Sequence, residues 1–146
     1  MTPQPTLTSR DIGLTENALR ALLLRSLTGT GLDYNRWVAL KTACDAPTPL
    51  TDAELAGLLV DGLKVDAAMA ATTIDDLKFT GLFEQAGTTN GPVVVTPEGA
   101  ALYRRLMDHV GQIGRQIYAD LEVEDLAVAY RVLSTVHQRA NLLLAS

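Results

Sequence analysis

Residues 50–99 read LTDAELAGLLVDGLKVDAAMAATTIDDLKFTGLFEQAGTTNGPVVVTPEG, and this stretch decides the fold. Thr51 and Glu54 have the spacing of a capping box, which predicts a helix of about two turns. Asp66 is well placed to cap a second helix. Two short apolar runs follow, separated by a segment that contains the turn-forming pair Asn90-Gly91. The order therefore predicts two helices followed by a β-hairpin.

The same stretch is strongly acidic. It contains two basic residues, Lys64 and Lys78, against eight Asp and Glu residues, so its net charge is −6, while the whole chain of 146 residues carries −5. Proteins bind a phosphate backbone largely through Lys and Arg, so this charge disfavours non-specific binding to nucleic acid or to an anionic membrane. The layout of the elements and their charge thus favour different functions.

Helices are predicted on both sides of this stretch. Thr15 is a candidate N-cap for a helix over residues 16–27, and Asp33 for one that ends near Cys44. Two longer helices are predicted from about 97 to 118 and from about 122 to 144. The last one carries an apolar stripe with the alternating spacing of four and three that is typical of helices packed side by side, formed by Leu126, Tyr130, Leu133, His137, Ala140 and Leu144.

A second apolar row lies beside that stripe and consists of Ala129, Val132, Val136 and Leu143. The final helix is therefore too apolar for packing on one side only within so small a monomer. Together with the leucine-rich first helix, it predicts an intertwined homodimer built from both ends of the chain.

The order of elements resembles that of the MarR-type winged-helix transcription regulators. Residues 50–59 look like the first element of the family's helix-turn-helix, and residues 65–84 resemble its recognition helix and the entry into its wing. Residues 93–99 are similar to the return strand and the start of the long helix, and residues 121–126 to the opening of the last helix. The resemblance spans roughly residues 15–144.

The resemblance implies a mainly α fold with a small β-hairpin wing. It also implies a winged helix-turn-helix over 50–96 and a dimerisation region made of 14–49 and 97–146, after a flexible N-terminus over 1–13. No run reaches the roughly 18 apolar residues needed to span a bilayer, and the N-terminus lacks the pattern of a signal peptide. We therefore expect a cytoplasmic protein without membrane contact.

The resemblance further implies that the recognition helix and the wing contact double-stranded DNA. Thr72 stands where relatives usually carry Arg, Asp76 stands where a second basic residue is common, and the wing lacks the family's Asp-x-Arg pattern. Backbone amides, hydroxyls and small side chains remain available for DNA contact. The predicted DNA-binding residues are Lys64, Ala67, Ala68, Ala71, Thr72, Thr73, Thr88, Thr89 and Asn90.

Two functions remain open at this point. The first is a dimeric regulator that binds operator DNA and is modulated by a small ligand, with flanking bases supplied by Arg10, Arg36, Lys41, Arg104 and Arg105. The second is a degenerate winged-helix dimer that has lost DNA binding. Such a dimer would use its acidic face to contact a protein partner or would serve as a ligand sensor.

A pocket for a small aromatic ligand is predicted between the dimerisation helices and the winged helix. Its candidate residues are Tyr34, Trp37, Tyr103, Met107 and His109. The alternative is that Trp37 is simply part of the core. Cys44 is expected to be a packed thiol, and the sequence contains no catalytic arrangement, metal-ligand set or cofactor motif, so we expect no enzyme and no cofactor.

Overall fold

The computed structural model describes residues 2–87 and 91–146. In chain order its elements are α1 (Ser9–Leu27), α2 (Tyr34–Asp45), α3 (Asp52–Leu63), α4 (Ala67–Phe79), β1 (Phe83–Gln85), β2 (Val93–Val95), α5 (Pro97–Tyr118) and α6 (Val123–Leu144). The predicted fold class, mainly α with a small β-hairpin, is confirmed. The two strands form an antiparallel sheet in which Phe83 pairs with Val95 and Gln85 with Val93.

The predicted caps of the central helices are confirmed. Thr51 and Glu54 form a reciprocal capping box at the start of α3, and the carboxylate of Asp66 accepts a hydrogen bond from the amide of Met69 at 2.8 Å. The side chain of Asp33 caps α2 in the same way. Helix α3 has 12 residues and is longer than the predicted two turns, and Lys64 ends it in the left-handed conformation with φ 58°.

The start of α1 differs from the prediction. Helix α1 begins at Ser9, not at Glu16, and its N-cap is Thr8, which forms a capping box with Asp11. Thr15 lies inside the helix and donates its hydroxyl hydrogen bond to the carbonyl of Asp11 at 2.7 Å. Five of the thirteen residues predicted to be flexible, 9–13, are therefore helical. Thr8 and Asp11 have the spacing of three that a capping box requires, but the Pro- and Thr-rich composition of the segment obscured this signal.

The chain divides into two compact units, residues 1–110 and 111–146. The core of the first unit is formed where α2, α3, α4 and the hairpin meet, and its largest fully buried side chains are Leu40, Leu55, Leu59, Ile74, Leu77 and Phe83. Leu102 and Leu106 add the first half of α5 to this core. The predicted division into a winged helix-turn-helix over 50–96 and a dimerisation region of 14–49 and 97–146 stays a prediction.

The hairpin is attached to this core by close backbone contacts. The amide of Val93 donates to the carbonyl of Leu50 at 2.7 Å, and Thr51 forms an isolated bridge with Pro92. Gly81, with φ 84°, lets the chain turn from α4 into β1. The second unit contains the rest of α5 and all of α6, and no residue of α6 is buried.

Candidate nucleic-acid interface and ligand cleft

The N-terminal half of α4 presents a small, uncharged surface. Ala67, Ala68, Ala71 and Thr72 are all exposed, as expected for residues that reach into a groove of DNA. The first turn of the helix offers backbone amides and the positive end of the helix dipole, which can bind a phosphate. The carboxylate of Asp66 already occupies the amide of Met69 and adds a negative charge at this end.

Thr73 does not belong to this surface. Its side chain is buried, and its hydroxyl donates a hydrogen bond to the carbonyl of Met69 at 2.8 Å. The neighbouring Thr72 points outward because the two residues are separated by about 100° around the helix. Of the two threonines predicted to contact DNA from α4, the geometry leaves Thr72 alone available.

The two lysines of the winged segment have different surroundings. Lys78 is held in place, because its ammonium donates to a carboxylate oxygen of Asp52 at 2.6 Å and to the amide oxygen of Gln85 at 2.6 Å. This links α4 to α3 and to β1. Lys64 is exposed at the junction between α3 and α4 and forms no ion pair with the described residues. It is the one base of residues 50–99 that a phosphate could reach.

Two of the flanking bases are also engaged. Arg36 forms an ion pair with Asp76 at 2.9 Å, and this hydrogen bond is the main cause of a raised pKa for the guanidinium. Lys41 pairs with Asp45 at 2.5 Å. The other three, Arg10, Arg104 and Arg105, are exposed and form no ion pair within the part of the chain that the structure describes. Two of the five flanking bases are therefore held in internal ion pairs, and three remain available to a phosphate backbone.

The structure describes the two strands of the wing and the base of its hairpin. The amide of Gln85 donates to the carbonyl of Gly91 at 2.5 Å, which fixes the base of the hairpin. Thr88, Thr89 and Asn90, the predicted contacts at the wing tip, lie outside the described residues.

A mostly apolar cleft of about 390 Å³ lies beside β2, within the first unit. Its walls come from the C-terminal end of α2, the loop that follows it, strand β2 and the first half of α5. The lining residues are Ala43, Cys44, Ala46, Pro47, Thr48, Pro49, Val93, Val94, Val95, Ala100, Tyr103 and Arg104. Arg104 is the one charged residue of this lining, so the cleft combines apolar walls with a single cation.

Tyr103 is the one predicted pocket residue that lines this cleft. Trp37 is buried in the core, and its ring stacks on that of Tyr103 at a centroid distance of 6.2 Å. The guanidinium of Arg20 lies over the ring of Tyr34, 4.3 Å from the ring centre. Met107 packs half-buried against the core, and His109 is exposed. The five residues do not gather around one pocket.

The polar groups at the edge of the cleft hold one another. The hydroxyl of Tyr103 donates a hydrogen bond to Asp45, which raises the pKa of Tyr103 to about 12. Hydrogen bonds from Lys41 and then from Tyr103 lower the pKa of Asp45. Burial, followed by the charge of Asp45, raises the pKa of Cys44 to about 11, so its thiol stays protonated near neutral pH.

Sequence reasoning missed the loop that forms one wall of the cleft. Residues 45–49 read DAPTP and were interpreted only as a break between helices. A signal was present, because Pro47 and Pro49 give a stiff, apolar connection. Among the described residues no group of three or more His, Cys, Asp and Glu side chains could hold a metal ion. No described helix is long and apolar enough to cross a membrane.

Comparison with known proteins gives matches in structure alone. No family model and no curated protein sequence matches the chain. The transcriptional regulator PA3341 is 24% identical, with a TM-score of 0.72 over 90% of this chain and 94% of that one. Wild-type MarR from E. coli in its apo form is 22% identical, with a TM-score of 0.66 over 91% and 98% of the two chains.

A third similar structure is that of CouR from Rhodococcus jostii RHA1, solved with bound p-coumaroyl-CoA. It is 16% identical, with a TM-score of 0.70 over 86% of this chain and 88% of CouR. Matches of this quality along nearly the whole chain show a shared fold.

Proposed function

Because this chain has the winged-helix fold of the MarR-family transcription regulators, we propose that it is a dimeric transcription regulator and not an enzyme. It binds operator DNA through α4 and responds to a small ligand. The observation that carries the proposal is the exposed, uncharged N-terminal surface of α4, with Lys64 beside it. Small side chains and a hydroxyl can approach base edges there, and the carboxylate of Asp66 at this end accepts a hydrogen bond from the amide of Met69.

The dimer supplies the geometry that such recognition needs. Two recognition helices related by a twofold axis reach successive turns of the major groove about 34 Å apart. Helix α6 supports a dimer, because it has 22 residues, exposes apolar side chains along its length and buries none of them. Large exposed apolar surfaces of this kind mark protein interfaces.

Selection from random DNA duplexes at low salt tests DNA binding directly. We expect an inverted repeat to be enriched. The affinity should depend weakly on salt, with a slope of about −2 if Lys64 of each protomer contacts one phosphate. A slope several times steeper would mean that further cations of each protomer contact phosphates, and would contradict binding through Lys64 alone.

A gain-of-function variant sharpens the test. Thr72→Arg places a guanidinium on the exposed surface of α4, where it can bind a guanine edge or a phosphate, and should strengthen binding by about tenfold or more. Gln138→Arg, exposed on α6, adds the same charge away from α4 and serves as the control. The proposal fails if no sequence is enriched and Thr72→Arg creates no affinity.

We propose that the cleft beside β2 binds the ligand. The supporting observation is the single guanidinium of Arg104 among apolar walls, which suits a small aromatic acid. CouR, which shares the fold, was solved with an aromatic thioester. The sole tryptophan, Trp37, stacks on Tyr103 at the edge of the cleft and provides a fluorescence signal.

Benzoate is a suitable first ligand to titrate, with neutral benzyl alcohol as its counterpart. We expect saturable quenching of Trp37 by benzoate and about tenfold weaker binding by Arg104→Gln, which loses a charge-assisted hydrogen bond. The matched control is Arg105→Gln, since Arg105 does not line the cleft. Equal effects of the two substitutions would mean that the ligand does not bind here.

A second candidate function is contact between the acidic winged helix and a basic protein partner. The observation that favours it is the engagement of Lys78 and Arg36 in ion pairs, while Asp75 remains exposed without a cation among the described residues. It predicts co-purification with a basic protein. That partner should be lost in the Asp75→Lys variant, whereas Glu124→Lys, which makes the same change in charge at an exposed position of α6, should retain it.

A further inference from the structure

Phe79 is the last residue of α4 and the most exposed large apolar side chain in the described part of the chain, at 92%. It lies on the outer face of the helix with Asp75, opposite the buried Ile74 and Leu77. It belongs to the C-terminal end of α4, three turns from Ala67. Neither the core nor the candidate DNA surface accounts for it.

A groove of about 470 Å³ lies where α4 turns into β1, and its lining includes Lys78 and Gly81, which are close to Phe79 in the sequence. It is lined by Lys78, Gly81, Phe83, Glu84, Thr96, Pro97 and Glu98. The ammonium of Lys78 is already held by Asp52 and Gln85. Glu84 and Glu98 are exposed, and neither has a cation within ion-pair distance among the described residues. The free charge of the groove is therefore negative.

The turn after α4 and the start of α5 are in contact at the border of this groove. A Cβ atom at Gly81 would lie 3.6 Å from a carboxylate oxygen of Glu98, so the turn and the start of α5 are in van der Waals range. The hydroxyl of Thr96 donates to the carbonyl of Gly81 at 2.6 Å. The hydrogen bond between Thr96 and Gly81 fixes the backbone of this border, and the exposed carboxylates of Glu84 and Glu98 are attached on either side of it.

We propose that Phe79, Glu84 and Glu98 form a docking surface for a basic protein segment that combines Lys or Arg with apolar side chains. An exposed aromatic ring is the type of residue that dominates binding energy when a partner covers it. The two free carboxylates select a cationic partner by charge complementarity and repel the phosphates of DNA. A second copy of this chain is disfavoured because it would present the same acidic groove.

This surface rests on the second candidate function and gives it a location. It differs from the DNA surface, because it uses the C-terminal end of α4 and the base of the wing. A protein bound there leaves Ala67 to Thr72 free. The same molecule can therefore bind DNA and a basic protein segment at opposite ends of one helix.

A random-peptide phage library selected on the full-length protein tests the proposal. We expect enriched peptides that contain Lys or Arg next to apolar residues. Phe79→Ala should weaken their binding by about tenfold or more, and so should the double substitution Glu84→Gln with Glu98→Gln. Met69→Ala, which removes another exposed apolar side chain from the first turn of α4, is the control and should bind as the wild type does.

Each other outcome overturns the proposal. It fails if no peptide is enriched, if the enriched peptides lack basic residues, or if Phe79→Ala binds them as tightly as Met69→Ala does. The variants should unfold at the wild-type temperature, since none of the three side chains is part of the core. A third result would assign the surface to nucleic acid instead. In that case the double variant binds the selected DNA duplex more tightly than the wild type does, while its binding of the peptides is unchanged.

The failure of the DNA hypothesis would look different. In that case Thr72→Arg creates no affinity for DNA while the basic peptides still bind at Phe79. If instead DNA binds and no peptide does, the regulator stands without this docking surface. The two sets of variants lie at opposite ends of α4, so each hypothesis is tested separately.

Discussion

Helices α4 and α6 both carry an apolar stripe, but the stripe of α4 is buried and that of α6 is exposed. Helix α4 buries Ala70, Thr73, Ile74 and Leu77, whereas α6 buries no residue along 22 positions. Leu77 is completely covered, while Leu133, on the predicted packing stripe of α6, is 44% exposed. The difference shows that α4 satisfies its apolar face within one chain, whereas the apolar stripe of α6 stays exposed in the single chain, which supports the proposed dimer.

Charge also distinguishes the segment that contains α4 from the rest of the chain. Residues 50–99, which contain α3 and α4, carry eight of the seventeen acidic residues and two of the twelve basic ones. Of the two bases in this stretch, Lys78 is held in an internal ion pair and Lys64 is exposed. The proposed binding to DNA therefore relies on shape and hydrogen bonds more than on charge neutralisation.

The largest effect is expected from a charge on the stripe of α6. Leu133→Glu would bury a carboxylate without a partner in the proposed dimer, which costs several kcal/mol and should abolish the dimer at micromolar concentration. Sedimentation analysis measures this as a change from twice the chain mass to 15.6 kDa.

The matched control for that change is Gln138→Glu. It adds the same charge to the same helix at an exposed position outside both apolar rows. We expect it to remain dimeric. If the wild type sediments as a monomer, or if both variants behave alike, the contrast between α4 and α6 has another cause than dimerisation.

A core truncation on α4 is expected to have the next largest effect. Leu77→Ala leaves a cavity at a fully buried position and should lower the free energy of unfolding by about 2–5 kcal/mol. The same truncation on α6, Leu142→Ala, removes a side chain that is 65% exposed and lies on neither row, and should change it by less than about 0.5 kcal/mol. Urea unfolding at a fixed protein concentration measures both. Equal losses would refute the assignment of α4 to the core.

Two glycines offer a comparison of opposite sign within the first unit. A Cβ at Gly99 would lie 2.4 Å from the carbonyl oxygen of Leu82 and 3.0 Å from a methyl of Val95. Gly99→Ala should therefore cost about 1–3 kcal/mol, because backbone must move. Gly57, inside α3, has open space around it, and Gly57→Ala should stabilise the protein by about 0.4–1 kcal/mol. Thermal unfolding that moves both variants in the same direction would contradict the close packing of α5 on the hairpin.

Much of the fold was predictable because local signals agreed with the global arrangement. The capping box at Thr51 and Glu54 and the caps Asp33 and Asp66 correctly placed the starts of three helices. The start of α1 was misplaced because Thr15 and Thr8 are both suitable caps in sequence. The structure selects Thr8 because its partner Asp11 completes a box, while Thr15 has no such partner.

The candidate sites were less predictable, because they depend on contacts between distant residues. Arg36 and Asp76 are forty positions apart, and nothing local indicates that they pair. The pairing removes one flanking base from the candidate DNA surface. Thr72 and Thr73 are neighbours in sequence, yet the helix turns one outward and the other into the core. Periodicity could have separated these two threonines, since Ala70, Thr73, Ile74 and Leu77 follow one stripe.

The smallest effect, and the most direct check of how α4 uses its charges, comes from its adjacent aspartates. Asp76→Asn breaks the ion pair with Arg36, whose two side chains are 34% and 40% exposed. A pair this exposed is screened by water, so the loss should be at most about 1 kcal/mol and should shrink with added salt. Asp75→Asn removes a carboxylate without a cation among the described residues, and the free energy of unfolding should stay within about 0.5 kcal/mol of the wild type. Chemical unfolding at low and high salt measures both. If Asp75→Asn lowers the free energy of unfolding more than Asp76→Asn does, the ion pair between Arg36 and Asp76 is not the interaction that holds this face of α4.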